Sequence, residues 1–229
     1  MNKFVILSTA MLLTAMSGCW VCSKHPYYFD NQVFRDDRLI GEWVTGLGEG
    51  DKVFTENPFY GEPYGNSYNI ESYTITADED DETGYILTYI DPDGLSGTFS
   101  LHLATFEGIT IVDIVPITLP EYDFNDSMDP RWLWHLRGHG CFVIDKITDN
   151  VISFRTINGD QWGDQLEGYE SETFQVTPTT TLDSLIIPSE DLQAMIVEKS
   201  DCEDCWMPQF FARLEYYEEM MDKIENSEE

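Results

Sequence analysis

Short runs in which apolar and polar residues alternate dominate the chain between residues 39 and 176. In the clearest run, Phe99, Leu101 and Leu103 alternate with Ser100 and His102. A period of two residues predicts a β-strand with one buried face. Similar runs separated by turn residues predict roughly seven to nine short antiparallel strands. They cover residues 39–45, 68–76, 85–90, 97–105, 108–115, 140–147, 151–157 and 173–176.

The C-terminal part of the chain has a helical period instead. Ser189 is a suitable N-cap for one helix, and Pro208 can open a second. After Pro208, apolar residues repeat at helical spacing, and we expect this stripe to pack on its own domain. The predicted fold is mainly β: an antiparallel barrel or barrel-like sandwich over residues 39–187, with C-terminal helices over residues 188–229. The stripe consists of Phe210, Leu214, Tyr217, Met221 and Ile224.

The N-terminus carries an apolar segment of another kind. Lys3 precedes an apolar run over residues 4–16, and the small residues Ser17 and Gly18 lead to Cys19. The run is too short to span a membrane and has the basic flank and small-residue exit of a removable signal. A cysteine directly after the small pair resembles the lipobox of bacterial lipoproteins.

This resemblance implies that residues 1–18 are a signal peptide and that Cys19 is lipidated. In that family the thiol receives a diacylglycerol, and the new amino group receives a fatty acid, commonly palmitate. Met16 stands where Leu is usual in the motif. Trp20, in place of the Asp that retains lipoproteins at the inner membrane, implies an outer-membrane protein facing the periplasm. Residues 19–38 would then form a tether to the folded domain.

The charge balance of the chain is strongly acidic. It has 43 Asp and Glu against 12 Lys and Arg, a formal net charge of −31. Nucleic-acid binding is excluded, because neutralising phosphates requires a basic surface. Attraction to anionic lipid headgroups is unfavourable for the same reason. The acidity fits either a basic protein partner or a solvated surface adapted to a cation-rich medium.

The thiols and imidazoles provide few signs of chemistry. Cys202 and Cys205 form a C-x-x-C pair with two acids between them, which favours a structural disulfide over a redox or zinc site. His139 and Cys141 would share one face of a strand and could bind a metal or act as base and nucleophile. No third orienting group is identifiable from the sequence.

Two acidic segments are candidates for cation binding. The acids between residues 123 and 129 suit Ca²⁺, yet the segment lacks the Gly and the distal Glu of an EF-hand. The run over residues 78–82 is typical of a solvated hairpin tip.

The sequence contains no G-x-S-x-G, P-loop or H-E-x-x-H motif. No catalytic residue, metal or cofactor is therefore predicted.

Gly41 and Trp43 lie at the start of the first strand. They resemble the Gly-x-Trp signature of lipocalins, in which the Trp closes the base of the barrel and often stacks on an Arg of a late strand. Arg155 would take that part here. The order of a leading Gly-x-Trp strand, a meander of hairpins and a C-terminal helix is similar to that family over about residues 39–200.

The leading hypothesis is a lipid-anchored, lipocalin-like barrel that binds a small apolar or amphipathic ligand without catalysis. The alternative is an envelope interaction module whose acidic surface binds a basic protein. A cavity of several hundred Å³ would favour the first hypothesis, and a filled interior the second. The candidate ligand-binding side chains are Tyr85, Leu87, Phe99, Leu101, Leu103 and Phe154.

Overall fold

The structure is a computed structural model, and it describes residues 22–46, 72–90, 96–118, 138–157, 161–162, 166–175 and 181–225. The strands in these ranges are β1 (Val33–Phe34), β2 (Gly41–Gly46), β3 (Ser72–Ala77), β4 (Gly84–Ile90), β5 (Ser96–Phe106), β6 (Ile109–Thr118), β7 (Gly140–Ile147), β8 (Val151–Ile157), β9 (Glu170–Gln175), β10 (Thr181–Ile186) and β11 (Trp206–Arg213). The helices are α1 (Ser189–Lys199) and α2 (Leu214–Glu225), and 3-10 turns cover Asp30–Gln32, Asp37–Leu39 and Glu203–Cys205.

Eight antiparallel strands close into a barrel in the order β2-β3-β4-β5-β6-β7-β8-β11, and β11 pairs with β2 to complete it. From β2 to β8 each strand pairs with its successor, so this part is a meander of hairpins. Inward apolar residues alternate with outward residues, as the period of two requires. The predicted mainly β fold, an antiparallel barrel with C-terminal helices, is confirmed.

The two ends of the barrel differ. Tight turns over residues 78–83, 107–108 and 148–150 lie at one end, which we call the hairpin end. In the shortest turn Glu107 has φ 48° and Gly108 has φ 82°, the positive values that match the twist of the flanking strands. The opposite end is called the loop end; β2, β4, β6 and β8 end there, and β3, β5, β7 and β11 begin there.

The predicted tether is part of the folded domain. Ser23 and Tyr27 are fully buried, and β1 pairs with β5. The chain then crosses the hairpin end, where the backbone N–H of Asp36 donates to the Tyr85 hydroxyl at 2.5 Å and Arg38 Nη1 to the Ile147 carbonyl at 3.0 Å. Of the segment 19–38, only residues 19–21 lie outside the described residues, so little of it remains as a free linker.

A second apolar cluster covers the outside of the barrel wall. Ile111 of β6 and Val143 of β7 point outward into it, because they alternate with inward residues. Tyr27 from the N-terminal segment and Leu192 and Ile196 from α1 complete the cluster. The N-terminal segment and the predicted helix at Ser189 are therefore docked on the barrel by apolar burial.

The expectation that Pro208 opens a helix is wrong. Pro208 lies in β11, where its register partner is Arg155 of β8, and the helix begins only at Leu214. Without β11 the facing edges of β2 and β8 would have no strand between them, and their backbone groups would lack partners. Closure of the barrel thus overrides the helical spacing that begins at Phe210. The segment 188–229 therefore contains a barrel strand between its two helices.

Candidate functional site

The interior of the barrel contains an apolar cavity. All six predicted ligand-binding side chains are buried in its apolar cluster. Leu87, Leu101 and Phe154 border a central cavity, whereas Tyr85, Phe99 and Leu103 pack elsewhere in the same cluster. The sequence interpretation missed the other residues that line the cavity, although their alternation in β3, β6, β7 and β8 is visible. They are Leu39, Tyr73, Ile75, Val112, Ile114, Phe142, Ile144, Ile152 and Phe211.

The central cavity is small and entirely apolar. Its volume is about 30 Å³, and all twelve residues that line it are apolar or aromatic. A water molecule needs about 10–15 Å³ of such space, so the cavity has room for two or three waters or one small apolar group. Sites for drug-sized ligands enclose roughly 300–1,000 Å³. The interior is therefore largely filled by its own side chains.

Aromatic rings fill much of this interior. The Tyr73 and Phe211 rings stack with their centroids 4.6 Å apart, and Tyr73 also stacks on Tyr89 at 5.1 Å. Phe154 meets Phe211 edge-on at 4.9 Å and packs against Phe142 at 5.1 Å. These separations are those of favourable aromatic pairs. Opening a larger cavity would require several of these contacts to break.

Trp43 and Arg213 seal the hairpin end. Trp43 is fully buried, and its indole N–H donates to the Leu39 carbonyl at 2.8 Å. The guanidinium of Arg213 lies over the Trp43 ring and donates to the carbonyls of Arg38, Ile40 and Asp149 at 2.6–2.9 Å. The position of Trp43 at the base of the barrel agrees with the lipocalin resemblance.

Arg155 does not take the predicted part in this seal. Its guanidinium lies over Trp206 at 5.2 Å, its Nε donates to Asp145 at 2.9 Å, and its Nη1 donates to the Ser200 carbonyl at 3.1 Å. Arg155 lies in a late strand, as predicted, but that strand is β8, which does not pair with β2. The strand next to β2 is β11, which ends in Arg213.

Asp113 is the orienting group that the sequence did not identify beside His139. Its Oδ2 lies 2.6 Å from His139 Nδ1, and its Oδ1 accepts from the backbone N–H of Tyr27 at 2.9 Å. Asp113 is 1% exposed and the His139 side chain 20% exposed. A single acid within the apolar run of β6 was the signal that could have revealed it. Asp113 therefore ties the N-terminal segment to the barrel wall.

Cys141 lies opposite Asp113 in the β6–β7 register, but it is poorly suited to nucleophilic chemistry. It is fully buried, and burial raises the pKa of its thiol well above the ordinary value. A nucleophile requires the thiolate, which this environment disfavours. Cys22 is also buried and is not part of a disulfide. Among the residues that the structure describes, no three His, Cys, Asp or Glu side chains are arranged to hold a metal ion.

Exposed acids surround the hairpin end. Glu79, Asp80 and Glu82 project from the β3–β4 turn, and Glu107 and Asp149 occupy the two neighbouring turns. This places the predicted acidic hairpin tip beside two further acidic turns. The tip is ordered by local bonds, since its own side chains accept backbone N–H groups two residues along the chain.

His102 contacts this acidic turn through Asp81. The His102 Nε2 and Asp81 Oδ2 atoms are 2.9 Å apart. The hydrogen bond from His102 and the bonds from Thr83 lower the pKa of Asp81 to about 2. Asp81 therefore stays ionised in mildly acidic solution, and the turn keeps its negative charge.

Cys202 and Cys205 form a disulfide, with their Cα atoms 5.4 Å apart. The acids of the calcium candidate at 123–129 lie outside the described residues. None of the helices in the described ranges is long and apolar enough to cross a membrane.

No protein-family model, no curated protein and no solved structure matches this chain. Function is therefore inferred from the fold and its contacts.

Proposed function

We propose that this chain is a lipid-anchored protein of the bacterial envelope whose packed barrel presents an acidic end to a basic protein partner. The observation that carries the proposal is the filled interior, with a cavity of about 30 Å³. An interior of this kind stabilises a scaffold and leaves recognition to the outer surface.

The hairpin end is the part of the described surface that best fits recognition. Its acids lie on three short turns between paired strands, so the barrel holds them in a defined arrangement. Fixed charges of one sign increase the rate of encounter with a partner of opposite charge. The net charge of −31 acts in the same direction. A basic protein is therefore the expected partner.

The lipid anchor rests on the sequence around Cys19, where a basic start, a short apolar run and two small residues precede the cysteine. Two or three acyl chains make a far stronger anchor than one, because each buried methylene contributes about 0.8 kcal/mol. The acidic domain would otherwise have little attraction for an anionic bilayer.

Lipidation is tested by expressing the full chain with a clickable palmitate analogue and comparing it with Cys19→Ala. We expect label on the unaltered chain, recovery in the membrane fraction, and loss of both in Cys19→Ala. Cys22→Ala is the matched control, because Cys22 is a buried thiol of the folded domain. An unlabelled chain that remains in the soluble fraction would refute the anchor.

The acidic end is tested by replacing its charges without changing side-chain size. We expect Glu79→Gln, Asp80→Asn and Glu82→Gln together to reduce co-purification of a basic partner several-fold. Glu167→Gln, Glu170→Gln and Glu203→Gln form the control, because they remove three exposed acids elsewhere.

Salt provides the second test of the acidic end. Exposed charges are screened over about 10 Å at 0.1 M ionic strength and about 3 Å at 1 M. We expect the partner captured in about 0.05 M salt to be released in about 0.5 M salt. A partner retained by the neutralised variant and indifferent to salt would contradict recognition by this end.

The apolar cavity supports a second candidate function, the binding of a small apolar group. Xenon is a suitable probe, since it is a single apolar atom that dry apolar cavities accept. We expect xenon to shift the NMR signals of the Leu101 methyl groups, and Leu101→Phe to abolish binding by filling the cavity. Leu103→Phe is the control, because Leu103 is buried in the same cluster but does not line the cavity.

Native mass spectrometry of protein purified without detergent complements this test. A retained small molecule would favour this candidate. An empty protein whose NMR spectrum is unchanged by xenon would exclude it.

A further inference from the structure

The folded domain begins at the loop end of the barrel. Ser23 pairs with His139, which directly precedes the first residue of β7. The Ser23 N–H donates to the His139 carbonyl at 2.8 Å, and the His139 N–H donates to the Ser23 carbonyl at 2.7 Å. Because β7 runs from the loop end to the hairpin end, the chain enters the structure at the loop end.

Residues 22–24 are held on their other side as well. The Leu185 N–H donates to the Cys22 carbonyl at 2.8 Å, and the Lys24 N–H donates to the Leu185 carbonyl at 2.9 Å. The Cys22 side chain is buried in the interior cluster of the barrel. The chain is therefore clamped between β7 and β10 at Cys22, so its point of entry does not depend on flexible residues.

Cys19 lies only three residues before this clamp. An extended chain covers at most about 3.6 Å per residue, so Cys19 can be no more than about 11 Å from Cys22. The eleven residues of β5 run the length of the barrel. At about 3.3 Å per residue and a tilt near 40°, the barrel is roughly 25–30 Å tall. Cys19 therefore cannot reach the hairpin end.

Two exposed apolar side chains lie near the same end. Ile90 is the last residue of β4 and is 43% exposed, and Ile117 near the end of β6 is 54% exposed. They flank β5 on either side, since β5 pairs with both β4 and β6. Apolar side chains at the end closest to a lipid anchor suit contact with the interfacial region of a bilayer.

We infer that the acyl chains on Cys19 hold the barrel with its loop end against the bilayer and its acidic hairpin end directed away from it. This inference rests on the proposed lipid anchor and adds an orientation to it. The bilayer covers the loop end and Ile90 and Ile117, while the acids at Glu79–Glu82 and Glu107 extend towards a partner in the envelope space.

The orientation is tested by energy transfer from single dyes to an acceptor on lipid headgroups. The acylated full-length protein is placed in phosphatidylethanolamine and phosphatidylglycerol vesicles and labelled at Ile117→Cys or Ile90→Cys, or at Glu107→Cys or Glu79→Cys. Protein without an added cysteine is the labelling control, because Cys22 and Cys141 are buried. We expect several-fold stronger quenching at the two loop-end positions.

A linker variant provides the matched control for tether length. A Gly/Ser linker of about 20 residues inserted between residues 21 and 22 has a mean end-to-end distance of about 25 Å. We expect it to remove most of the difference between the two ends. A difference that the linker leaves unchanged would overturn the role of the short tether.

The outcomes separate this inference from the anchor. If mass spectrometry shows acylated Cys19 but the two ends are quenched equally, or the hairpin end more strongly, the orientation is wrong and the anchor stands. If Cys19 carries no acyl group, both are refuted.

Discussion

The guanidinium carbon of Arg213 lies 4.1 Å from the centroid of the Trp43 ring, at the hairpin end of the barrel. This contact joins the last barrel strand to the first, because the two residues face each other in the β11–β2 register. The same guanidinium donates three hydrogen bonds to carbonyls of the segment that crosses the hairpin end and of the β7–β8 turn. The Arg213 side chain thus contacts the first barrel strand, the segment that crosses the hairpin end, and the β7–β8 turn.

Arg213→Lys should lower the free energy of unfolding by about 2–3 kcal/mol. Lysine retains the charge but cannot stack as a plane or reach three carbonyls at once, and such cation–π and charge-assisted contacts contribute about 1–3 kcal/mol each. Urea denaturation followed by tryptophan fluorescence measures the change. Arg35→Lys is the control. Arg35 lies 5.9 Å from the centroid of the Tyr85 ring, and its ion pair with Asp37 is exposed. The substitution should therefore change the free energy of unfolding by less than about 0.5 kcal/mol. Equal losses of stability in the two variants would contradict a specific stabilising role of the Arg213 guanidinium.

Gly41→Ala should be more harmful than Gly108→Ala, although both glycines have positive φ. At Gly41, with φ 144°, an added Cβ would overlap the Arg213 guanidinium, whereas at Gly108 it would meet open space. Strain alone costs about 1–3 kcal/mol, and displacement of Arg213 adds to it at Gly41. Thermal unfolding compares the two variants. Equal midpoints would show that Arg213 moves aside without loss.

Asp113→Ala should destabilise the protein by about 3 kcal/mol and release the N-terminal segment. The substitution leaves the Tyr27 N–H and the His139 ring without their carboxylate partner in a buried site. Hydrogen exchange should become faster at the Tyr27 amide and in the segment around it. A uniform loss of stability would instead speed exchange throughout the protein. Asp145→Ala removes an exposed pair with Arg155 and should cost no more than about 1 kcal/mol. Unchanged exchange at Tyr27 would contradict the tie through Asp113.

Acidification should weaken the β3–β4 turn through Asp81. Its pKa of about 2 in the folded state lies below the ordinary value of 3.8. The lowered pKa contributes stability that is complete above about pH 4 and is lost as the pH falls towards 2. In His102→Ala, a carboxyl NMR titration should show the Asp81 midpoint rising towards its ordinary value, because the largest cause of the shift is gone. His25→Ala is the control, and a midpoint that stays near 2 in His102→Ala would contradict the cause.

Alternation along the chain predicted the strand content and the inward faces correctly. Phe99, Leu101 and Leu103 are buried as expected, because a period of two on a paired strand leaves one face towards the core. The failures came from contacts distant in sequence. The helical spacing after Pro208 was overridden by pairing with β8 and β2, which local propensity does not report.

The sequence by itself determined that this chain is strongly acidic and mainly β, since composition and local period carry that information. Only the tertiary structure decided that Arg213 rather than Arg155 stacks on Trp43, that Asp113 holds His139 and Tyr27, and that the interior is filled. These depend on which strand closes the barrel and on how side chains far apart in sequence share its volume. A local sequence pattern does not specify strand pairing or side-chain packing, because both depend on contacts between segments that are distant in sequence.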